Sequence, residues 1–207
     1  METIFFIIIL LFSVVIHEVA HGFAAYILGD PTAKLAGRLT LNPVPHIDPV
    51  GSIMVPFILS LIPGGLIFGW AKPVPFNPYN LKAGHYGPAL VAIAGPVSNL
   101  LIALVFGLLI RLADVINIGS TTFLTLASVV VLLNIVLAVF NLIPVPPLDG
   151  SKILFTLVPY KWRHIVNAIE RYQILLIVVV IFFAFSIISP AISILFYLFT
   201  GTPWVGF

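Results

Sequence analysis

Two histidines and a glutamate lie together inside a long apolar segment near the start of the chain. The segment, residues 4–28, is almost wholly apolar and has about the length that a helix needs to cross a bilayer. His17 and His21 are four residues apart, so on a helix they share one face and can bind one cation. Glu18 lies next to His17, about 100° round the helix, where it can contact a water molecule on that cation. This H-E-x-x-H spacing suits two imidazole ligands of zinc and a carboxylate base for hydrolysis.

The apolar surroundings strengthen this interpretation. An ionisable side chain in the apolar part of a membrane is costly unless it is paired, bound to a metal or facing water. His17, Glu18 and His21 all lie in the second half of the segment. A chance match in a helix with two buried histidines is therefore the less favoured explanation.

The composition predicts a polytopic membrane protein. The chain has 207 residues, of which 61% are hydrophobic and only 8% are charged, and this excludes a soluble domain. The net charge of +2 gives no reason to expect nucleic acid as a partner. Because there is no cysteine, any metal must be bound by His, Asp, Glu or Asn. The first segment has no basic residues before it, so we expect it to be retained and not cleaved as a signal peptide.

Four long apolar stretches are the elements that must position these residues. They are 4–28, 87–111, 123–143 and 174–199. The last has Ser189-Pro190 in its middle, which predicts either one kinked span or a tight hairpin. The segment 51–68 is broken by prolines and glycines and either crosses the membrane or dips in and returns. Alternation over 36–41 predicts a short strand, and the charged segment 151–173 predicts an interfacial helix.

The positive charges favour the re-entrant alternative. If 51–68 returns to its own face, every Lys and Arg except Arg111 lies on one side of the membrane. If 51–68 spans, Lys34, Arg38 and Arg111 lie on one side and the other six basic residues lie opposite. The positive-inside rule prefers the first arrangement and makes the crowded face cytoplasmic. That arrangement also places Asp149 on the same face as the second half of the first helix.

A catalytic zinc usually has three protein ligands and a water molecule, so one ligand must come from elsewhere. The candidates are His46, Asp48, His85, Asp149 and His164. Asp149 is favoured because it follows a strongly apolar helix and precedes Gly150 at a helix break, although it could instead be an N-cap. His46 and Asp48 remain competitors, since their loop could fold back over the metal, or they could line the substrate cleft. His85 and His164 fit ordinary solvated histidines better.

Three asparagines are further candidates. A buried amide needs hydrogen-bond partners. Asn141, eight residues before Asp149, is either a donor to a developing oxyanion or an interhelical contact. For Asn99 the interhelical contact is favoured, with a place in the substrate cleft as the other option. Asn77 lies in a Pro-rich loop and, with His46 and Asp48, is expected to line a polar path for water.

Three elements in this order resemble the site-2 protease family of intramembrane zinc metalloproteases. They are H-E-V-A-H at 17–21, A-G-P at 94–96, and N-x-x-P-x-x-x-L-D-G at 141–150. The first motif alone is only moderately specific, whereas the first and third together are strong. The resemblance covers about the first 150 residues. It is to a compact form without a PDZ or CBS domain.

The resemblance implies a catalytic core of three transmembrane helices with one Zn²⁺ per chain. It implies that His17, His21 and Asp149 bind the zinc, that Glu18 is the general base and that Asn141 lies near the metal. It also implies that the strand-like stretch 36–42 is a membrane-embedded β element that engages the substrate.

We therefore expect an all-α polytopic membrane protein with a three-helix catalytic core. A re-entrant or β element and one or two C-terminal transmembrane helices complete it. Residues 1–207 are expected to form one domain, with the core at 1–150 and an interfacial and transmembrane region at 151–207.

The expected function is hydrolysis of peptide bonds within or near transmembrane segments of membrane proteins. The expected location is a prokaryotic cell membrane, with the active site open to the cytoplasm. The expected partners are a transmembrane substrate and the lipid bilayer, but no nucleic acid; the sequence leaves the oligomeric state open. One alternative is a non-proteolytic protein that binds or transports metal, but a transporter should carry ionisable residues in several spans. A catalytically inactive scaffold is the other, and the intact Glu18 argues against it.

Overall fold

The computed structural model describes residues 2–61, 69–116 and 120–204. Eight α-helices occur in these ranges. They are α1 Glu2–Ile27, α2 Thr32–Leu35, α3 Val55–Ser60, α4 Gly87–Val115, α5 Thr121–Asn141, α6 Asp149–Leu157, α7 Arg163–Arg171 and α8 Gln173–Thr200. Short 3-10 turns at Val44–His46, Pro78–Asn80, Gly84–Tyr86 and Tyr160–Trp162 and a π-helical turn at Pro49–Met54 lie between them.

Three of these helices provide the membrane-spanning frame. The segments Ile4–Ile27, Gly84–Ala113 and Thr121–Asn141 are each long and apolar enough to cross a bilayer. α4 is the central helix, since it packs against α1, α5, α6 and α8. Within the described ranges the secondary structure is helical, so the prediction of an all-α polytopic membrane protein is confirmed.

The apolar core lies where α4, α5 and α8 meet. Its most buried members include Ala103, Val131, Ile135 and Ile192. A Cβ on Gly107 would lie 2.9 Å from the backbone of Phe199, so a glycine is needed for α4 and α8 to approach this closely.

The C-terminal apolar stretch forms one continuous helix through Pro190, and not a hairpin. α8 ends at Gly201, which has a φ of +79° that suits glycine. Arg111 of α4 donates hydrogen bonds to the carbonyls at this helix end, which belong to Tyr197, Leu198 and Phe199. The guanidinium thus satisfies backbone acceptors that would otherwise have no partner within the helix.

The strand predicted for 36–42 is wrong. Turns and bends occupy these residues, and the structure contains no strand in the ranges it describes. The backbone N–H of Arg38 bonds to the carbonyl of Ala33, and Gly37 has a φ of +66°, so the chain is closing the short helix α2. The alternating pattern cannot form a strand here because no second strand lies beside it to complete a ladder.

The segment 51–68 begins as a short helical element that is too short to span. The helical part of this region, Pro49–Ser60, is apolar but is only about half the length that a span needs. The N–H of Trp70 bonds to the carbonyl of Gly51 at 3.1 Å, and the hydroxyl of Ser52 bonds to the carbonyl of Trp70 at 2.8 Å. The two ends of the segment therefore lie side by side, which supports the re-entrant alternative; residues 62–68 lie outside the described part.

Candidate metal centre and active site

Two histidines of α1 and the first residue of α6 converge on one point inside the protein. The Nε2 atoms of His17 and His21 lie 3.0 Å apart. Oδ2 of Asp149 lies 3.1 Å from Nε2 of His17 and 3.0 Å from Nε2 of His21. All three residues are buried. The structure thus brings together three of the sequence-predicted ligands, from positions 132 residues apart in the chain.

Two glycines allow this convergence. A Cβ on Gly95 of α4 would lie 2.6 Å from Nε2 of His17 and would also collide with the His21 ring. A Cβ on Gly150 would collide with the backbone carbonyls of Leu142 and Ile143. The first glycine lets α4 pass directly behind the imidazoles, and the second lets α6 begin against the end of α5. The A-G-P and L-D-G motifs therefore each contain a glycine with a packing reason.

The donor set fits a zinc ion. Nδ1 of His21 donates to the carbonyl of Val91 at 2.7 Å, and because a carbonyl only accepts, Nε2 carries the lone pair. Nδ1 of His17 lies 2.6 Å from Oδ1 of Asn99, so its Nε2 is directed at the same point. Two lone pairs and a carboxylate oxygen this close repel one another unless a cation lies between them. Ligands of one tetrahedral zinc lie about 3.3 Å apart, close to the spacing found here.

The second carboxylate oxygen of Asp149 has its own partner. Nζ of Lys152, one turn further along α6, donates to Oδ1 at 3.0 Å. Oδ2 therefore faces the imidazoles while Oδ1 faces the lysine. This arrangement directs one oxygen to the point where a metal would be bound and neutralises part of the negative charge on the other.

Glu18 lies at the edge of this cluster, under a loop that crosses α1. Its Oε2 accepts a hydrogen bond of 2.8 Å from the backbone N–H of Val74, and the glutamate side chain is half-buried. Val74 itself is buried, and a Cβ on Gly22 would collide with its side chain. The loop therefore packs tightly on the helix that carries the two histidines, and one of its amides orients the carboxylate.

The other loop candidates lie in hydrogen bonds of their own. His46 is buried, and its Nε2 donates to the carbonyl of Thr40 at 3.0 Å. Asp48 accepts from the N–H groups of Val50 and Gly51, as the cap of the π-helical turn. Asn77 accepts from the N–H of Tyr79 at 3.0 Å. The structure does not bring these three residues into the histidine cluster.

Among the remaining candidates, Asn99 hydrogen-bonds to the histidine cluster, whereas the others form other contacts or are exposed. His85 donates to the carbonyl of Thr156 at 2.6 Å, and His164 is exposed. Asn141 is half-buried, and its Nδ2 donates to the carbonyl of Leu137 in its own helix. Asn99, which was expected as an interhelical contact or in the cleft, is fully buried against His17.

Sequence reasoning missed three polar residues near the site. Ser13 lies four residues before His17, and Asn134 lies in an apolar helix seven residues before Asn141. Both positions carried the signal of a polar side chain inside an apolar span. Asp30 is the third, and its position just after α1 in a Gly-Asp-Pro turn gave no sign of burial.

Asp30 anchors the loop that covers Glu18. It is fully buried and accepts hydrogen bonds from the Thr32 hydroxyl at 2.6 Å and from the N–H of Asn77 at 2.6 Å. The Asn80 amide adds a third bond at 2.9 Å. Burial raises the pKa of the Asp30 carboxyl, but these hydrogen bonds outweigh burial and hold its pKa below the ordinary value. The carboxylate therefore ties the stretch that follows Val74 to the end of α1.

Comparison with known proteins identifies the family. The model of peptidase family M50 matches residues 107–187. The candidate zinc metalloprotease YwhC of Bacillus subtilis (strain 168) is 41% identical over 180 residues, which cover 84% of this chain and 78% of YwhC. The candidate zinc metalloprotease Rip2 of Mycolicibacterium smegmatis is 26% identical over 189 residues, which cover 88% of this chain and 66% of Rip2. No solved structure matches.

The match to YwhC extends over most of both chains. The family match adds α5, Asp149 and the start of α8. The predicted resemblance is therefore confirmed: the chain belongs to peptidase family M50, the site-2 protease family of zinc metalloproteases embedded in the membrane.

Proposed function

We propose that this protease cleaves peptide bonds within or next to transmembrane segments of membrane proteins, using zinc bound by His17, His21 and Asp149. The observation that carries the proposal is the convergence of two imidazole nitrogens and one carboxylate oxygen within 3.1 Å of one another. This convergence lies on a membrane-spanning helix, next to an intact glutamate. Transport of metal without proteolysis is not favoured, because the family is one of peptidases.

Zinc bound at this site would act as a Lewis acid that lowers the pKa of a bound water molecule towards neutrality and polarises a carbonyl group. Glu18 takes a proton from the attacking water and passes it to the leaving amine. The N–H of Val74 supports this role, since it orients the carboxylate from the loop side. Lys152 holds Asp149 so that one oxygen stays directed at the imidazoles.

Asn141 is the proposed donor to the developing oxyanion. Its Nδ2 bonds to the carbonyl of Leu137 with one hydrogen, and the same nitrogen carries a second hydrogen. A donor aimed at developing negative charge in a water-poor site contributes strongly to catalysis. The position of Asn141 at the end of α5, where the chain turns towards Asp149, supports this role.

The substrate must be unwound before cleavage, because a helix hides its peptide carbonyls in its own hydrogen bonds. The loop around Val74 lies over Glu18, so an unwound segment must displace this loop or pass beside it. The start of α6 lies beside the second half of α1, which is the arrangement expected if the face with most of the Lys and Arg residues is cytoplasmic. We therefore propose that the active site opens towards the cytoplasm. We propose a prokaryotic cell membrane, in line with the bacterial relatives.

The test is cleavage of single-span substrates by purified protein in liposomes, with the zinc content measured for each variant. Wild type should cleave, lose activity when a chelator removes zinc and recover it when zinc is returned. Glu18→Gln should keep its zinc but lose activity, and Asp149→Ala should lose its zinc.

Glu170→Gln is the matched control, since Glu170 is exposed on α7 and its substitution removes the same charge far from the cluster. It should behave as wild type. Cleavage by Glu18→Gln at the wild-type rate would remove Glu18 as the base. Full zinc content in Asp149→Ala would remove Asp149 as a ligand.

A further inference from the structure

We propose that Asn99 and Asn134 are positioning residues for His17, joined to it in a hydrogen-bond chain whose direction is set by backbone carbonyls. The chain keeps the Nδ1 hydrogen of His17 pointing at Asn99 and leaves Nε2 free for the metal. This inference rests on the proposed role of His17 as a zinc ligand. It assigns to the two asparagines a role in the metal site that neither the fold nor the ligand set requires.

The chain is continuous and buried. Nδ1 of His17 lies 2.6 Å from Oδ1 of Asn99, and Nδ2 of Asn99 donates to Oδ1 of Asn134 at 2.9 Å and to the carbonyl of Ser13 at 3.3 Å. Nδ2 of Asn134 donates to the hydroxyl of Ser13 at 3.0 Å and to the carbonyl of Val130 at 2.9 Å. Asn99 and Asn134 are both 0% exposed. The chain thus links α1, α4 and α5.

The direction of every bond follows from the two backbone carbonyls. A carbonyl only accepts, so the amide nitrogen of Asn134 must face Val130, and its oxygen must face Asn99. Asn99 must then donate to that oxygen and to the carbonyl of Ser13, which turns its own oxygen towards His17. Nδ1 of His17 must therefore be the donor in the bond to Asn99. A reversed amide at Asn99 would set two donors, or two acceptors, against each other in a buried site.

The direction of this chain determines which ring nitrogen of His17 is free to bind the proposed zinc. With the hydrogen on Nδ1, the lone pair of His17 is on Nε2, which faces His21 and Asp149. A hydrogen-bond partner on the second nitrogen also restrains rotation of the ring, and loss of such partners typically costs 10- to 100-fold in metal affinity. His21 has the same kind of restraint directly from the carbonyl of Val91, whereas His17 reaches its backbone anchors only through the two asparagines.

The alternative is that Asn99 only holds the helices together. Asn99→Leu removes the acceptor for His17 and both amide hydrogens, while Asn99→Asp keeps an acceptor for His17 but loses the amide hydrogens. If the residue were only an interhelical contact, Asn99→Asp would be at least as harmful as Asn99→Leu, because it buries a charge. A positioning role predicts the opposite order for zinc affinity.

The experiment measures zinc affinity in metal-free protein in nanodiscs, by competition with a chromogenic chelator. The visible spectrum of the Co²⁺-substituted protein is recorded as a second readout of ligand geometry. Asn99→Leu should bind zinc about 10- to 100-fold more weakly and should change the Co²⁺ spectrum. Asn99→Asp should bind zinc more tightly than Asn99→Leu because it keeps the acceptor for His17, and Asn134→Leu should show a smaller loss than Asn99→Leu because it acts through Asn99.

Ser98→Ala is the matched control, since among the residues that the structure describes the Ser98 hydroxyl bonds only to the carbonyl of Gly95 in its own helix. Thermal unfolding of the metal-free proteins shows which variants are folded, and Asn134→Leu carries the test if Asn99→Leu does not fold. Wild-type zinc affinity in folded Asn99→Leu, or equal losses in Asn99→Asp and Asn99→Leu, would overturn the inference.

His17→Ala separates this inference from the proposed function. Zinc binding by His17→Ala at the wild-type affinity would overturn the metal site itself. Loss of zinc in His17→Ala together with wild-type binding in Asn99→Leu would overturn only the positioning role.

Discussion

Replacing Gly95 by alanine should weaken zinc binding while leaving the fold in place. The new Cβ would lie 2.6 Å from Cε1 and from Nε2 of His17, whereas Cβ atoms in proteins essentially never approach other heavy atoms closer than 3.0 Å. Either α4 or the imidazole must therefore move by roughly half an ångström or more. Because His17 and His21 are both in contact with this point, the shift separates two of the three proposed ligands.

The expected loss in zinc affinity is about 100-fold, comparable to the loss of a ligand's supporting partner, and this corresponds to about 2.7 kcal/mol. Helix propensity works in the other direction, since alanine is about 1 kcal/mol more favourable than glycine inside a helix. The defect should therefore appear at the metal and not in the helix. Zinc affinity by chelator competition and thermal unfolding of the metal-free protein are the two measurements.

Gly107→Ala is the matched control on the same helix. Its Cβ would lie 2.8 Å from Cβ of Phe199, far along α4 from the histidines. This variant should unfold at a lower temperature but bind one zinc per folded chain with the wild-type affinity. If folded Gly95→Ala binds zinc as wild type does, the close approach of α4 to the imidazoles is not a requirement of the site, and the reasoning fails.

Two further predictions concern parts outside the metal cluster. The pKa of the Asp30 carboxyl is lower in the folded protein than in the unfolded chain. The stability that this carboxylate gives to the fold is therefore complete above the unfolded pKa of about 4 and is lost as the pH falls through the folded pKa. Limited proteolysis of the loop around Val74 should speed up below about pH 4, and Asp30→Asn should be cleaved faster even at neutral pH. Arg111→Met removes three hydrogen bonds to the end of α8. Amide exchange in the last turn of α8 should therefore become faster by an amount equivalent to about 1 kcal/mol, while exchange in the first half of α8 should stay unchanged. An equal increase in exchange rate in both parts of the helix would contradict the capping role.

Much of the frame could be predicted because it depends on local pattern. The apolar runs that became α1, α4 and α5 are continuous in sequence, and a helix satisfies its backbone within one segment whatever lies beside it. The spacing of His17 and His21 needs only the pitch of one helix. The strand expected for 36–42 failed for the opposite reason, since a strand needs a partner from elsewhere in the chain and none is present among the described residues.

The sequence by itself determined the membrane-spanning helices, the pair of histidines with their neighbouring glutamate, and the family. It left open which candidate lies beside the histidines, because Asp149, His46 and Asp48 are all separated from them by turns whose path depends on packing. Only the tertiary structure places Asp149 there, with α6 starting against the end of α5 and α4 passing the imidazoles at Gly95. It also joins His17 to Asn99 across 82 residues. Such contacts follow from how close the helices approach, and that distance is set by side chains from several segments at once.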